Sequence, residues 1–320
     1  MSQDDSRKPR SARVRHQMQM CRDAIFDPSI DYPAAGALRV VLTRYAMALP
    51  WTKKFAPDYG AWLAARFEVF SRFCAPSVLN QVARPDLWLL GFDGAHRDAA
   101  APVVAALAGH AWIVPVWQER QNGVPEQPFT TFQREIRSRL EGRFRHVITT
   151  RLDSDDALNR DFVAYLARYS AAALQGQPDL QDFWVSFPFG AYFEKGACAL
   201  LASAGNHFLS RVQSVEHFRA DEQSTALYGN HARVFERGPV FTPVTNGPMW
   251  IEVFHGNNVQ NFSRGRALKF KHPEAVLSMC GLPKPAPSGK PAWRRGLADT
   301  LRRTARRALR RARSWTLERA

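Results

Sequence analysis

Cysteine is scarce in this 320-residue chain: Cys21, Cys74, Cys198 and Cys280 are scattered, with no CxxC pair among them. That spacing excludes a zinc finger, a thioredoxin-type redox pair and a disulfide scaffold, and it fits a reducing compartment. A long apolar run is also missing. The most apolar stretch, Ala99 to Trp117, is broken by Pro102, Gly109, His110 and Pro115, so it reads as a helix followed by a strand and not as a bilayer span. The N-terminal MSQDDSRKPRSARVRHQ has no apolar core of the kind a secretion signal needs, so a cytoplasmic protein is expected. No internal repeat is visible. What is present is a composition able to bury a sizeable core: 45% hydrophobic, 12% aromatic and 23% charged.

The net charge of +15 is unevenly spread. Residues 284–320 carry twelve Lys or Arg against Asp299 and Glu318, a net of +10, which leaves +5 for the other 283 residues. A nucleic-acid-binding domain carries its basic residues on the folded surface, so nucleic acid is not the expected partner. The proline-rich LPKPAPSGKPAW (282–293) reads as an extended linker. After it, Leu297, Leu301, Ala305, Ala308 and Ala312 fall on one face of a potential helix, with Arg302, Arg306 and Arg310 beside them and Trp293 and Trp315 at its ends. This pattern suits a helix lying on an anionic membrane surface through residues 293–319, peripheral on the inner membrane. A basic tail contacting RNA without specificity is the alternative.

Between the tails the chain alternates strand and helix. Strands are expected at 39–43, 86–92, 111–117 and 146–150, and helices at 61–73, around 102–107, at 129–140 and from about 159 to 174. Short apolar strands separated by helices imply a mostly parallel, Rossmann-like α/β sheet, with ligands at the carboxyl ends of its strands. The expected organisation is a basic extension over 1–35, one α/β domain over 36–281, and the linker with its Arg-rich helix over 282–320.

Directly after the apolar HVITT comes Arg151-Leu152-Asp153-Ser154-Asp155-Asp156. Three carboxylates within four positions repel one another unless a cation or several donors offset the charge. A divalent cation with oxygen ligands suits that position, and an Asp-x-Asp there can hold Mg²⁺ or Mn²⁺ against a diphosphate. Helix capping by Asp155 or Asp156, or a solvated acidic turn, are the plain alternatives. An EF-hand is excluded, since Ala157 and Leu158 stand where its pattern needs a ligand and a glycine.

The sequence resembles the putative rhamnosyltransferase family of bacteria through VLTRY, WLAARFEVFSRFCAPSVLNQ, DLWLLGFD, VITTRLDSDDAL and MWIEVFHGNNVQN, over about residues 38 to 265. The resemblance implies a GT-A-like domain, a DxD motif, a divalent metal (Mn²⁺ or Mg²⁺), a nucleoside diphosphate sugar donor and a glycan or lipid-linked acceptor. It places Asp153 and Asp155 as the metal-side pair with Asp156 as alternate, and Thr43 and Arg44 where the nucleotide base and ribose are received. His255, after an apolar strand, is the candidate to complete the metal site, with His231 as substitute. Arg151, on the same side as Asp153, pairs with a carboxylate or reaches a phosphate, and Asp93 accepts from base or ribose or merely forms a turn. For the catalytic base, Asp221 and Glu222 are the first candidates and Glu194 another. A nucleotidyltransferase or phosphohydrolase would also use clustered aspartates.

Overall fold

The computed structural model describes residues 36–49, 59–255 and 268–283. Both tails, including the Arg-rich segment, lie outside the described residues. Seven strands form the main sheet: β1 (Ala37–Ala46), β2 (Leu87–Asp93), β3 (Ile113–Gln118), β6 (His146–Arg151), β8 (Asp182–Val185), β11 (Ser210–Ser214) and β12 (Val240–Phe241), in the order β12-β8-β11-β6-β1-β2-β3. Pairing is parallel for β3, β2, β1 and β6, while β11 runs antiparallel to both β6 and β8. A mixed α/β fold with a large, mostly parallel sheet follows.

The central strands are near-continuous apolar runs because both faces are covered. Along β1, Leu38, Val40 and Leu42 enter one core layer with Phe132, Ile136 and Leu140, which belong to α4 (Pro128–Ser138) and the turn after it. Val41 and Tyr45 enter the opposite layer. There they meet Leu63 of α1 (Tyr59–Val69), Val103 of α3 (Arg97–Leu107), and Phe162 and Leu166 of α5 (Phe162–Gly176). Full burial of each such side chain contributes about 1.5–3 kcal/mol. Pro115 is tolerated because β3 is the edge strand of the sheet, and a short hairpin of β4 (Arg120–Gln121) and β5 (Val124–Pro125) follows it.

Two features depart from the simple alternation read in the sequence. The expected helix over 61–73 is interrupted by a π-turn, Phe70–Cys74, before α2 (Ala75–Leu79). This turn buries Phe70, Phe73 and Cys74 together. The chain beyond β6 also builds a four-stranded sheet, β10-β9-β13-β7, from β9 (Phe189–Glu194), β10 (Ala197–Ala202), β13 (Trp250–Phe254) and the two-residue β7 (Ala157–Leu158). It has its own apolar layer, including Phe193, Ile251, Val253, Val276 and Leu277, the last two from α7 (Pro273–Met279).

From β1 the chain moves to β2 and β3 on one side of the sheet and later returns to β6 on the other. The seam between β1 and β6 is therefore the point where strand order reverses. In open α/β sheets the carboxyl ends of the strands at such a reversal are where ligands are taken. Among the described residues no helix is long and apolar enough to cross a membrane.

Candidate functional site

The aspartate turn leaves β6 at this seam. Its backbone is fixed before its side chains: Leu152 donates its N–H to the Leu42 carbonyl of β1, and Asp156 donates to the Asp153 carbonyl at 3.2 Å, closing a tight turn. Beyond it, Ala157 and Leu158 pair with Ile251 and Trp250 of β13. The Leu158 N–H reaches the Ser77 hydroxyl, and Gln81 donates to the carbonyls of Ser77 and Asn159. The turn is thus fastened to the main sheet at one end and to the small sheet at the other.

Each carboxylate has different company. Asp153 bridges two guanidiniums, with Arg44 Nη2 at 2.8 Å from one oxygen and Arg151 Nη2 at 3.1 Å from the other. Burial alone would raise its pKa, but Arg151 and Arg44 outweigh that and hold it well below the usual carboxylate range. Asp155 accepts from His255 Nε2 at 3.0 Å, and Arg66 Nη2 lies 3.9 Å from its other oxygen. Burial raises Asp155, yet the His255 hydrogen bond and Arg66 bring it below the ordinary value. Asp156 lies deepest. It accepts the Val253 N–H at 2.9 Å and contacts His207 Nε2 at 2.8 Å. Burial, then the charges of Asp155 and Asp153, push its pKa well up.

These groups fit a divalent cation. One ligand atom each from Asp153, Asp156 and His207 can be chosen so that all lie within 4.8 Å of one another. Two carboxylate oxygens and an imidazole form a donor set that Mn²⁺ accepts readily. The Ser154 hydroxyl, in the middle of the turn, is buried and without a hydrogen-bond partner. Asp156 is the electrostatic argument for a cation: its neighbours penalise its negative charge, and a positive ion would reverse that penalty.

His207 and Arg66 were not among the residues singled out in the sequence. His207 arrives from the loop before β11, seated against Phe208 (ring centroids 4.2 Å) and near Trp250 (6.5 Å). Nothing in SAGNHFLS announces it. Arg66 is fixed from two sides, donating Nε to the Tyr45 carbonyl at 2.8 Å and lying over the Trp62 ring at 5.3 Å. Only its place one helical turn after Trp62 could have drawn attention to it.

The other sequence candidates lie variously near to and far from this cluster. His231 is close: its ring centroid is 5.8 Å from that of His207, and burial, then Arg151 and His207, lower its pKa to about 4. The Thr43 hydroxyl turns instead into the core, accepting from Trp88 Nε1 at 3.0 Å. Asp93 closes its own turn, accepting from the Ala95 N–H and from Arg120 Nη2 at 2.6 Å. Asp221 accepts from the Gln223 N–H and from Arg211 Nη2 at 2.9 Å, at the end of α6 (Val215–Ala220). That helix follows Ser214, which pairs with His146 at the amino end of β6, across the sheet from the aspartate turn. Glu222 beside it is exposed. Glu194 ends β9, cross-strand from Phe254, the residue before His255.

The family described as "Putative rhamnosyl transferase" matches residues 31–267. The chain belongs to that family. The match takes in the whole aspartate turn, both guanidiniums on Asp153, and all three histidines around the cluster. A transferase is thereby supported, with a glycosyl group as what such a family moves. No curated protein matches the chain. Among solved structures, it is similar to a 4-diphosphocytidyl-2C-methyl-D-erythritol synthase from Anaerococcus prevotii DSM 20548, at 12% identity and TM-score 0.31, covering 77% of this chain and 95% of that one. It is also similar to an inositol-1-phosphate CTP transferase from T. maritima, at 11% identity and TM-score 0.35, covering 71% and 93%. Likeness at this level carries no activity over to this chain.

Proposed function

We propose that this protein is a GT-A-like, metal-assisted glycosyltransferase that moves a sugar, rhamnose by the family's name, from a nucleoside diphosphate donor to a glycan or lipid-linked acceptor. The observation that carries the reading is the convergence of Asp153, Asp155, Asp156, His207 and His255 at the β1/β6 seam. In this reading Asp153, Asp156 and His207 hold the cation, with Asp155 and His255 beside it. When bound, Mn²⁺ or Mg²⁺ would neutralise charge developing on the leaving diphosphate. Arg66, set by the Tyr45 carbonyl, adds to the His255 hydrogen bond in holding Asp155 below the ordinary carboxylate value. Phe208 and Trp250, stacked at 4.6 Å and 15°, hold His207 against the cluster and exclude water behind it. The twelve basic residues of 284–320 would hold the enzyme against an anionic leaflet, where lipid-linked acceptors are displayed.

The test is a panel of nucleotide sugars screened for manganese-dependent hydrolysis. One donor is expected to be cleaved by the wild type and left intact by Asp156→Asn and His207→Gln. Nucleotide-sugar binding and turnover that persist undiminished in both variants would overturn the site. Release of inorganic pyrophosphate from a nucleoside triphosphate supplied with a sugar 1-phosphate would overturn glycosyl transfer and indicate nucleotidyl transfer instead.

A further inference from the structure

The guanidiniums in this protein differ in how fully they are used. Arg211 is saturated: Nε and Nη2 grip Asp182 at 2.9 and 2.6 Å, Nη2 also reaches Asp221, and Nη1 donates to the Gln223 carbonyl. Arg39 is similarly spent, with Nε and Nη2 both 3.0 Å from the Asp86 carboxylate. Such pairs join elements of the fold. Arg44 and Arg151 contrast sharply. Each has five N–H donors, yet each makes a single hydrogen bond through Nη2, and both go to the same carboxylate, that of Asp153. The Nε of each is buried with no hydrogen-bond partner. Two adjacent positive charges with so few acceptors are costly to bury unless an anion with more oxygens sits between them.

The two arginines are held rigidly side by side. Arg151 is the last residue of β6 and faces Leu42 across the parallel ladder, and Arg44 lies two residues further along β1. The Asp153 carboxylate spans them with one oxygen on each, the same bridging geometry that a phosphoryl group offers with three oxygens. Guanidinium forks match phosphate and carboxylate alike.

We propose that Arg44 and Arg151 form a phosphoryl seat that the chain's own Asp153 fills until a diphosphate displaces it. The exchange conserves charge pairing: phosphoryl oxygens take the two guanidiniums, and the released Asp153 carboxylate becomes available to the cation beside Asp156 and His207. Donor and metal would therefore assist one another, each freeing the partner the other needs. This deepens the glycosyltransferase reading by rationing the first aspartate of the motif between two ligands. It also makes that aspartate an internal competitor for metal-free anions.

The experiment is titration calorimetry of the full chain with inorganic pyrophosphate in the presence of a chelator, so that neither metal nor sugar takes part. Asp153→Asn, which removes the competing charge, is expected to tighten pyrophosphate by about tenfold, the equivalent of about 1.4 kcal/mol. Adding Arg44→Gln to that variant is expected to erase the gain. Arg44→Lys in the wild-type background, which keeps the charge and loses the fork, is expected to weaken binding severalfold and serves if Asp153→Asn does not fold. Binding to the basic tail is common to every variant and drops out of the comparison. Equal affinities for wild type and a folded Asp153→Asn, or for wild type and Arg44→Lys, would overturn the proposal. A wild type that binds pyrophosphate as expected but hydrolyses no nucleotide sugar would leave the seat standing and refute the glycosyltransferase reading alone.

Discussion

Gly190 on β9 offers a stringent test of how the site is supported. A Cβ built on Gly190 would lie 2.1, 2.2 and 2.3 Å from three atoms of the Trp250 indole, far inside any real contact. The indole has nowhere to retreat. It is 2% exposed, stacks on Phe208, and donates Nε1 to the Phe187 carbonyl at 2.9 Å. Gly190→Ala must therefore strain the β9–β13 ladder or turn Trp250 out of place. Overpacking costs roughly 1–3 kcal/mol, and loss of the indole hydrogen bond adds about 1 kcal/mol. A destabilisation of about 2–4 kcal/mol is expected, read as a lower urea midpoint at unchanged slope. Because Trp250 and Phe208 also seat His207, the variant should bind manganese more weakly even under conditions where it is fully folded. A midpoint within experimental scatter of wild type would refute the packing argument. Normal metal affinity in a destabilised variant would refute the link from Trp250 to His207.

His231 should leave a signature in the pH dependence of stability. Its folded pKa of about 4 lies below the unfolded value near 6.5. Between those values the unfolded chain holds more protons, so stability rises with pH through that window and is lost on acidification from 6.5 towards 4. His231→Gln is expected to lose less stability than wild type between pH 7 and 4, with parallel melting curves contradicting the burial argument. Asp221, gripped by Arg211, is expected to act on the fold: Asp221→Ala should cost about 1.5–3 kcal/mol, the range for hydrogen bonds to charged groups. Its turnover, measured below the new melting transition, should stay near wild type, and a loss of several orders of magnitude would return Asp221 to the reaction centre.

Much of the first half of the fold was legible because its strands are buried on both faces and so read as plain apolar runs. RVVLT, DLWLLGF and HVITT each lie within an observed strand or overlap it within a residue. The aspartate turn was legible for a related reason, since three acids directly after such a run must lie at a strand's carboxyl end. The chain beyond β6 was harder. Its small sheet is assembled from β7, β9, β10 and β13, so β7 comes from one part of the chain and its partner β13 from another, and two-residue strands have no periodicity to read. His207 was invisible for the same reason, being brought to Asp156 by the antiparallel insertion of β11 and not by any local pattern. Asp221 and Glu222 attracted attention as adjacent acids, a pattern that carries no information about which edge of the sheet they occupy.

The hydrogen bond from Val253 to Asp156 joins residues 97 apart, and that from His255 to Asp155 joins residues 100 apart. On a ribosome adding roughly 5–20 residues per second, the acids emerge about 5–20 s before the strand that completes their surroundings. During that interval the three carboxylates stand without the His255 imidazole and the Val253 N–H that meet them in the folded protein. A chain truncated short of β13 also lacks the strand that pairs with Ala157 and Leu158, so its aspartate turn is fastened at one end alone.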